Sequence, residues 1–266
     1  MASIHTSPGA GKFGEDPDQY DLARPPYPAA LFDWLKQRCN LGVESDCFEI
    51  GAGTGHATLP ILSMPVRSLS AIEPDERLAS RLQAKARDFP NLSVILQRFE
   101  ETEFPTGAFD FGFAAMSFHW LARMKALKRV CDALKPGGSF AMWWNIYHDP
   151  ARPDTFQLLT EHLFGGLEQD PATTRQRPAF GLDTASRLGE MGRAGLVRLE
   201  HRLFPQEVTF TASDMSALYT TFSRVRMAPD DIRSRLLSEV ERTVREAFGG
   251  EVHRTIWCSA YVGRKG

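Results

Sequence analysis

The stretch from Cys47 to Thr58, CFEIGAGTGHAT, constrains this chain more than any other. An apolar run ends around an acid at Glu49, glycines follow at alternate positions Gly51, Gly53 and Gly55, and helix-compatible sequence begins just beyond. That order reads as strand, tight turn, helix. Glycine reaches backbone angles closed to other residues and carries no Cβ, so such a turn brings main-chain N–H groups and a helix N-terminus close to a ligand. A nucleotide-like molecule suits it. Glycine-rich loops also serve as plain turns, so the remaining sequence has to decide.

The segments that follow repeat the same grammar. A short strand, Leu69 to Glu73, is stopped by Pro74 and puts an acid at its tip, 22 residues after Gly51. An acid so placed can accept hydrogen bonds from a ribose diol. Further strands are expected at Leu92 to Phe99, at Phe109 to Ala115 and through SFAMWW to Trp144, with helices near 56–62, 75–88 and 125–134 between them. Alternating strands and helices predict an α/β fold: a Rossmann-like, mostly parallel sheet with helices on both faces. In such a sheet the glycine turn, Glu73, Phe99-Glu100 and Met116 to Trp120 all project from the C-terminal edge, where a ligand crevice forms.

Outside that run the pattern changes. Residues 1–17 read as a flexible arm, 18–145 as the core with an N-terminal cap, and 146–195 as an inserted helical cover. Residues 196–266 supply two strand-like stretches that complete the sheet, the last one antiparallel, with helical cover elements at 211–247. Prolines at 25 and 26 force an extended or turning path, which displays Tyr20, Arg24 and Tyr27 from a loop ahead of the core. The tyrosines either pack that arm down or cover a ligand.

Composition narrows the classes. Lys and Arg total 31 against 33 Asp and Glu, a net charge of -2, which gives no electrostatic footprint for nucleic acid or an anionic membrane. No apolar run reaches membrane-spanning length, and the cytoplasm is the expected location. Four scattered cysteines without a CxxC pair, and seven dispersed histidines, suggest neither a disulfide framework nor a metal site. The expected partner is a small-molecule substrate, with the chain a monomer or homodimer.

With these residues in view, the chain resembles the class I S-adenosylmethionine-dependent methyltransferases, within the small-molecule group of the trans-aconitate and ubiquinone/menaquinone-type enzymes. EIGAGTG is similar to the family's acidic glycine motif, AIEPD to its ribose motif, LKPGGSF to the segment before the fifth strand, and YDLARPPYP to a common N-terminal arm. The likeness spans roughly residues 18–145 and, more weakly, the last strand. It implies S-adenosyl-L-methionine as cofactor. Glu49 would anchor the turn near the methionine amino group, with Gly51, Ala52, Gly53 and Gly55 lining it. Glu73 would take the ribose, Pro74 would lie beside the adenine, and Ala115 and Met116 beside the methionine part. Tyr20 and Arg24 join the cofactor set. The family commonly has an acid where this chain has Arg98, so adenine falls to Phe99, through its backbone, and to Glu100 or Glu101. An arginine cannot accept the adenine amino hydrogen bond.

Methyl transfer from a sulfonium demands mainly an aligned nucleophile in a water-poor site. His119 and Tyr20 are the catalytic candidates, and Tyr27, His119, Trp120, Trp144, Tyr147 and Arg224 are the substrate candidates. His119 can act as a base or orient an acidic substrate, or it can simply pack against the next helix. Arg175 and Arg177 are further partners for a carboxylate. The expected reaction is methylation of a small acidic or aromatic metabolite. The alternatives are a domain that binds the cofactor without catalysis and an enzyme acting on a protein. A nicotinamide oxidoreductase is disfavoured because His56 stands where GxGxxG needs its third glycine.

Overall fold

Alternation of buried apolar strands with amphipathic helices builds a seven-stranded sheet in a computed structural model that describes residues 17–149, 151–167 and 178–266. In chain order the elements begin with α1 (Pro17–Ala23), α2 (Ala29–Arg38), β1 (Asp46–Ile50), α3 (Thr58–Leu62) and β2 (Ser68–Ile72). They continue with α4 (Glu76–Lys85), β3 (Leu92–Ile95), β4 (Phe109–Ala115), α5 (Arg123–Ala133) and β5 (Leu134–Ile146). The C-terminal part holds α6 (Thr155–Thr160), α7 (Thr184–Arg193), β6 (Leu196–Thr211), α8 (Ala212–Thr220), α9 (Ser223–Arg226), α10 (Asp230–Phe248) and β7 (Glu251–Lys265). Strand order is β3-β2-β1-β4-β5-β7-β6. The first five strands are parallel and β7 pairs antiparallel with β5, so the mostly parallel Rossmann-like sheet expected from the sequence is the one observed.

The chain divides into two compact units. The sheet unit comprises Pro26–Ile146, Gly181–Pro205 and Trp257–Gly266; the second comprises the chain up to Pro25, Tyr147–Phe180 and Gln206–Ile256. The stretch 146–195, read from sequence as one insertion, is thus shared between them. The arm at 1–17 lies outside the described residues except for Pro17, as do Arg175 and Arg177.

In the sheet unit, β1 and β4 are covered on both faces: Phe48, Phe111 and Phe113 are fully buried, each such side chain contributing about 2 kcal/mol. Gly112 is required there, since a Cβ would lie 2.2 Å from the Phe48 ring. Asp75 caps α4 by accepting from the Arg77 N–H at 3.0 Å. Two expectations are corrected. Tyr20 sits on helix α1 and not in a loop, because the prolines that break the chain come after it. The third strand ends at Ile95, and residues 97–99 turn away with the Gln97 N–H bonded to the Ile95 carbonyl.

Candidate cofactor site

The order of strands reverses between β1 and β4, and the loops after β1, β2 and β4 meet at that edge of the sheet unit. Gly51 begins the turn at φ 70°, and a Cβ on it would come 2.6 Å from that of Ser117 after β4. The N–H groups of Gly51 and Ala52 both donate to the Ile72 carbonyl, which ties the turn to the end of β2. Gly53 follows at φ 57° with open space where a Cβ would be, and its N–H donates to the Glu73 carboxylate at 2.7 Å. The Asp75 N–H donates to the other Glu73 oxygen at 2.9 Å. Glycines are needed here for both reasons given by the sequence: positive φ and close approach.

Two acids border the turn with little access to water. Glu49 is 1% exposed and accepts a hydrogen bond from the Thr58 hydroxyl at 2.5 Å. Burial pushes its pKa up to about 8, the Thr58 bond opposing and the Glu73 charge adding. Glu73 is raised to about 7, again chiefly by burial and against its two backbone hydrogen bonds. Among the described residues, no basic side chain forms an ion pair with either carboxylate. A ligand carrying an ammonium or sulfonium charge and hydroxyl donors would supply what both lack.

After β4 the backbone is strained. Met116 holds φ at 55°, a left-handed conformation that costs a non-glycine residue energy, and such outliers gather at functional edges. Its N–H donates to the Trp143 carbonyl, and the Ser117 hydroxyl donates to the Ile50 carbonyl, so this loop is fastened to β1 and β5 together. Ala115 and Met116 are half-buried here. Phe118, His119 and Trp120 form one 3-10 turn.

His119 is buried, and the Trp144 indole N–H donates to its Nδ1 at 3.0 Å. An indole nitrogen can only donate, so Nδ1 carries the lone pair and Nε2 the hydrogen. The ring is therefore presented as a neutral donor through Nε2, with the lone pair a base would use already engaged. Trp120 lies against the same ring, with centroids 4.9 Å apart.

The remaining sheet-unit candidates are less uniform. Pro74 is exposed beside Glu73. The Phe99 ring is turned into the core, against Phe48 and Phe104 with the Arg129 guanidinium 5.7 Å from its centre, which leaves only main chain to reach a ligand. Glu100 and Glu101 lie 3.9 and 3.8 Å from Arg98, so the arginine standing in place of an acid is held by the two acids that follow it. Tyr27 packs edge-on against Trp143 and Phe32.

Tyr20, Arg24, Tyr147 and Arg224 belong to the second unit and are grouped there. The Arg24 guanidinium lies 5.3 Å from the Tyr20 ring centre, 5.0 Å from that of Tyr147 and 4.9 Å from that of Phe222, while its Nε donates to the Thr221 hydroxyl at 2.8 Å. Burial raises the Tyr20 phenol above its ordinary pKa, with Arg24 pulling the other way. Arg224 rests over Phe164 at 4.2 Å. Sequence reasoning missed Phe222 and Thr221; only the fold brings Thr221, 197 residues along the chain, and its neighbour to Arg24.

Comparison with known proteins gives this edge a family context. Residues 48–142, which span β1 through most of β5, match the family model described as a methyltransferase domain. An uncharacterized methyltransferase of Schizosaccharomyces pombe is 24% identical over 235 residues, covering 88% of this chain and 87% of its own. Among solved structures, the YcgJ protein of Bacillus subtilis is similar with a TM-score of 0.59 at 15% identity, over 90% of this chain and 99% of its own. Phosphoethanolamine N-methyltransferase 2 of Haemonchus contortus, solved with phosphomonomethylethanolamine and S-adenosylhomocysteine, gives a TM-score of 0.58 at 12% identity, over 95% of this chain and 57% of its own. The sheet unit thus contains the stretch that matches this model and shares its fold with these solved structures.

Proposed function

We propose that this methyltransferase domain uses S-adenosyl-L-methionine to methylate a small acidic or aromatic metabolite, at a carboxylate oxygen. The observation that carries the cofactor is the pair of buried acids flanking a glycine turn at the point where strand order reverses. The fit is chemical: Glu49 and Glu73 are held above the ordinary carboxylate range by burial, and a cationic ligand with a ribose diol favours their charged forms. When bound, the cofactor supplies a methyl group already activated on sulfur. Glu49 would orient the amino end, Glu73 would exchange its Gly53 hydrogen bond for ribose hydroxyls, and Gly51 to Gly55 would offer main-chain donors. Met116 and Ala115 would form the apolar wall that excludes water beside the methyl group.

The acceptor follows from the two catalytic candidates. His119 engages its lone pair with Trp144, and the buried Tyr20 phenol keeps its proton, so both are suited to donate and orient. An alcohol, carbon or amine acceptor of high pKa needs a base; a carboxylate is already ionised and needs none. This favours the small-molecule group that the sequence resembles, and the Arg24 cluster of the second unit offers chemistry suited to such anions.

Labelled-methyl transfer over a panel of small metabolites tests the reading. Base-labile labelled products drawn from carboxylates, and from no alcohol or amine, are the expected result. Cofactor binding without any labelled product would leave a binding domain, and labelled protein as the sole product would move the substrate class.

A further inference from the structure

We infer that Gly181 is a positioning residue for His119, acting through Trp144, and that the hydroxyls of Ser259 and Tyr261 hold it in place. The inference deepens the proposed function and rests on it in one respect, the donor role given there to His119. Strand register supplies the parts. β5 and β7 pair antiparallel with Trp144 opposite Ser259 and Met142 opposite Tyr261, so Trp144, Ser259 and Tyr261 share one face of the sheet. The Tyr261 ring meets that of Trp144 edge-on at 6.1 Å. Gly181 is buried on this face, and its carbonyl accepts from the Ser259 hydroxyl at 2.6 Å and the Tyr261 hydroxyl at 2.9 Å. A Cβ on Gly181 would lie 2.9 Å from that of Trp144, 3.1 Å from the Trp144 Cγ and 2.9 Å from the Ile146 Cδ1. Its φ lies outside the left-handed region, so space and not backbone freedom is what demands glycine here.

The hydrogens of this cluster have one arrangement. Each hydroxyl gives its hydrogen to the Gly181 carbonyl, so Ser259 accepts from His201 Nε2, 2.9 Å away on β6. Burial holds the His201 imidazole below its ordinary pKa, which leaves it neutral near pH 7 with the hydrogen on Nε2 and the lone pair on Nδ1. The Thr184 hydroxyl lies 3.5 Å from that Nδ1 and 3.4 Å from the Tyr261 oxygen, and the His201 ring stacks on Tyr261 at 4.5 Å. One donor satisfies a buried carbonyl; this one has two, from β7 and backed by β6. The Gly181 main chain is thereby a fixed wall against the root of the Trp144 side chain. At the far end of that side chain the indole N–H lies 3.0 Å from His119 Nδ1. Pushing Trp144 at its Cβ lengthens that bond and lets the imidazole exchange tautomers, which removes the Nε2 donor that orients a carboxylate.

The test reads ring nitrogens by NMR in the full, nitrogen-labelled chain, without cofactor or acceptor. Gly181→Ala is expected to shift the Trp144 indole N–H resonance and to draw the two His119 nitrogen resonances toward each other, the mark of mixed tautomers. Gly192→Ala, whose added Cβ meets Leu199 at an ordinary 3.5 Å, leaves both unchanged. Tyr261→Phe keeps the ring against Trp144 and loses one donor; joined to Ser259→Ala it loses both, and the shifts grow from the single to the double variant. This pair decides the question should Gly181→Ala fail to fold. With a carboxylate that the labelled-methyl panel identifies as acceptor, Gly181→Ala lowers kcat about fivefold and leaves S-adenosylmethionine affinity within about twofold. His119 resonances unmoved in folded Gly181→Ala or in the double variant, or moved equally by Gly192→Ala, overturn the positioning. The expected shifts, with no methylated product from the unaltered chain, support the positioning and overturn the proposed function alone.

Discussion

The two units solve opposite electrostatic problems. In the sheet unit, two carboxylates are buried beside a glycine turn with hydroxyl and main-chain donors and, among the described residues, no cation paired with them. In the second unit, guanidiniums are stacked on aromatic rings. The first arrangement invites a cation and the second an anion. The proposed transfer from a sulfonium to a carboxylate calls for groups of both kinds, and it is this contrast in polarity that the proposal draws on.

The largest break in that contrast is expected from Gly53→Asp. Its Cβ has room, and an aspartate bears the left-handed φ of 57° at a cost of about 1 kcal/mol that melting reads separately, while a third negative charge in the turn should weaken S-adenosylmethionine binding more than about 100-fold by calorimetry. A smaller, sign-reversing change is Glu49→Gln. It removes a charge that burial disfavours, so the cofactor-free protein should melt higher at pH 9 while cofactor affinity falls about tenfold. Trp144→Phe should release His119 from its fixed tautomer, visible in the ring nitrogen resonances, and lower kcat about fivefold.

The smallest effect is on pH dependence. Glu49 and Glu73 have folded pKa values of about 8 and 7, above an ordinary carboxylate value of 4.5. The native state therefore binds more protons than the unfolded chain between these limits, and their contribution is full below about pH 4.5 and lost as pH rises through 7 and 8. Melting of the cofactor-free protein should accordingly show stability falling between about pH 4.5 and about pH 8, and Glu49→Gln should flatten that slope.

The difference between the units also explains what the sequence could reveal. The turn, Glu73 and β4 are local: each is a run of a few residues whose glycines, acids and apolar alternation dictate a conformation by themselves, and Phe109 to Ala115 was legible residue for residue. Helix α7 was not, because Gly189 and Gly192 dilute its helical signal; the Asp183 cap, accepting from the Ser186 N–H, was the clue available. The internal pairing of Arg187 with Glu190, both buried, likewise depends on packing and not on spacing alone. Phe99 was expected to meet the cofactor through its backbone because of its position after β3; that its ring packs against Phe48 and Phe104 is a matter of the fold and not of the motif. The pairing of Arg254 with Asp154 and the Tyr147 carbonyl was invisible: they lie 100 and 107 residues away, and no motif announces them.

The glycine turn itself is best tested by the protons it must give up. Charging Glu49 and Glu73 against a bound cation requires them to lose the protons that burial retains near pH 7. Calorimetric titration of S-adenosylmethionine at pH 7, in two buffers of different ionisation enthalpy, reads that number directly. Binding with net proton release, reduced in Glu49→Gln, is the predicted result; no binding, or binding with no proton released, would contradict the account.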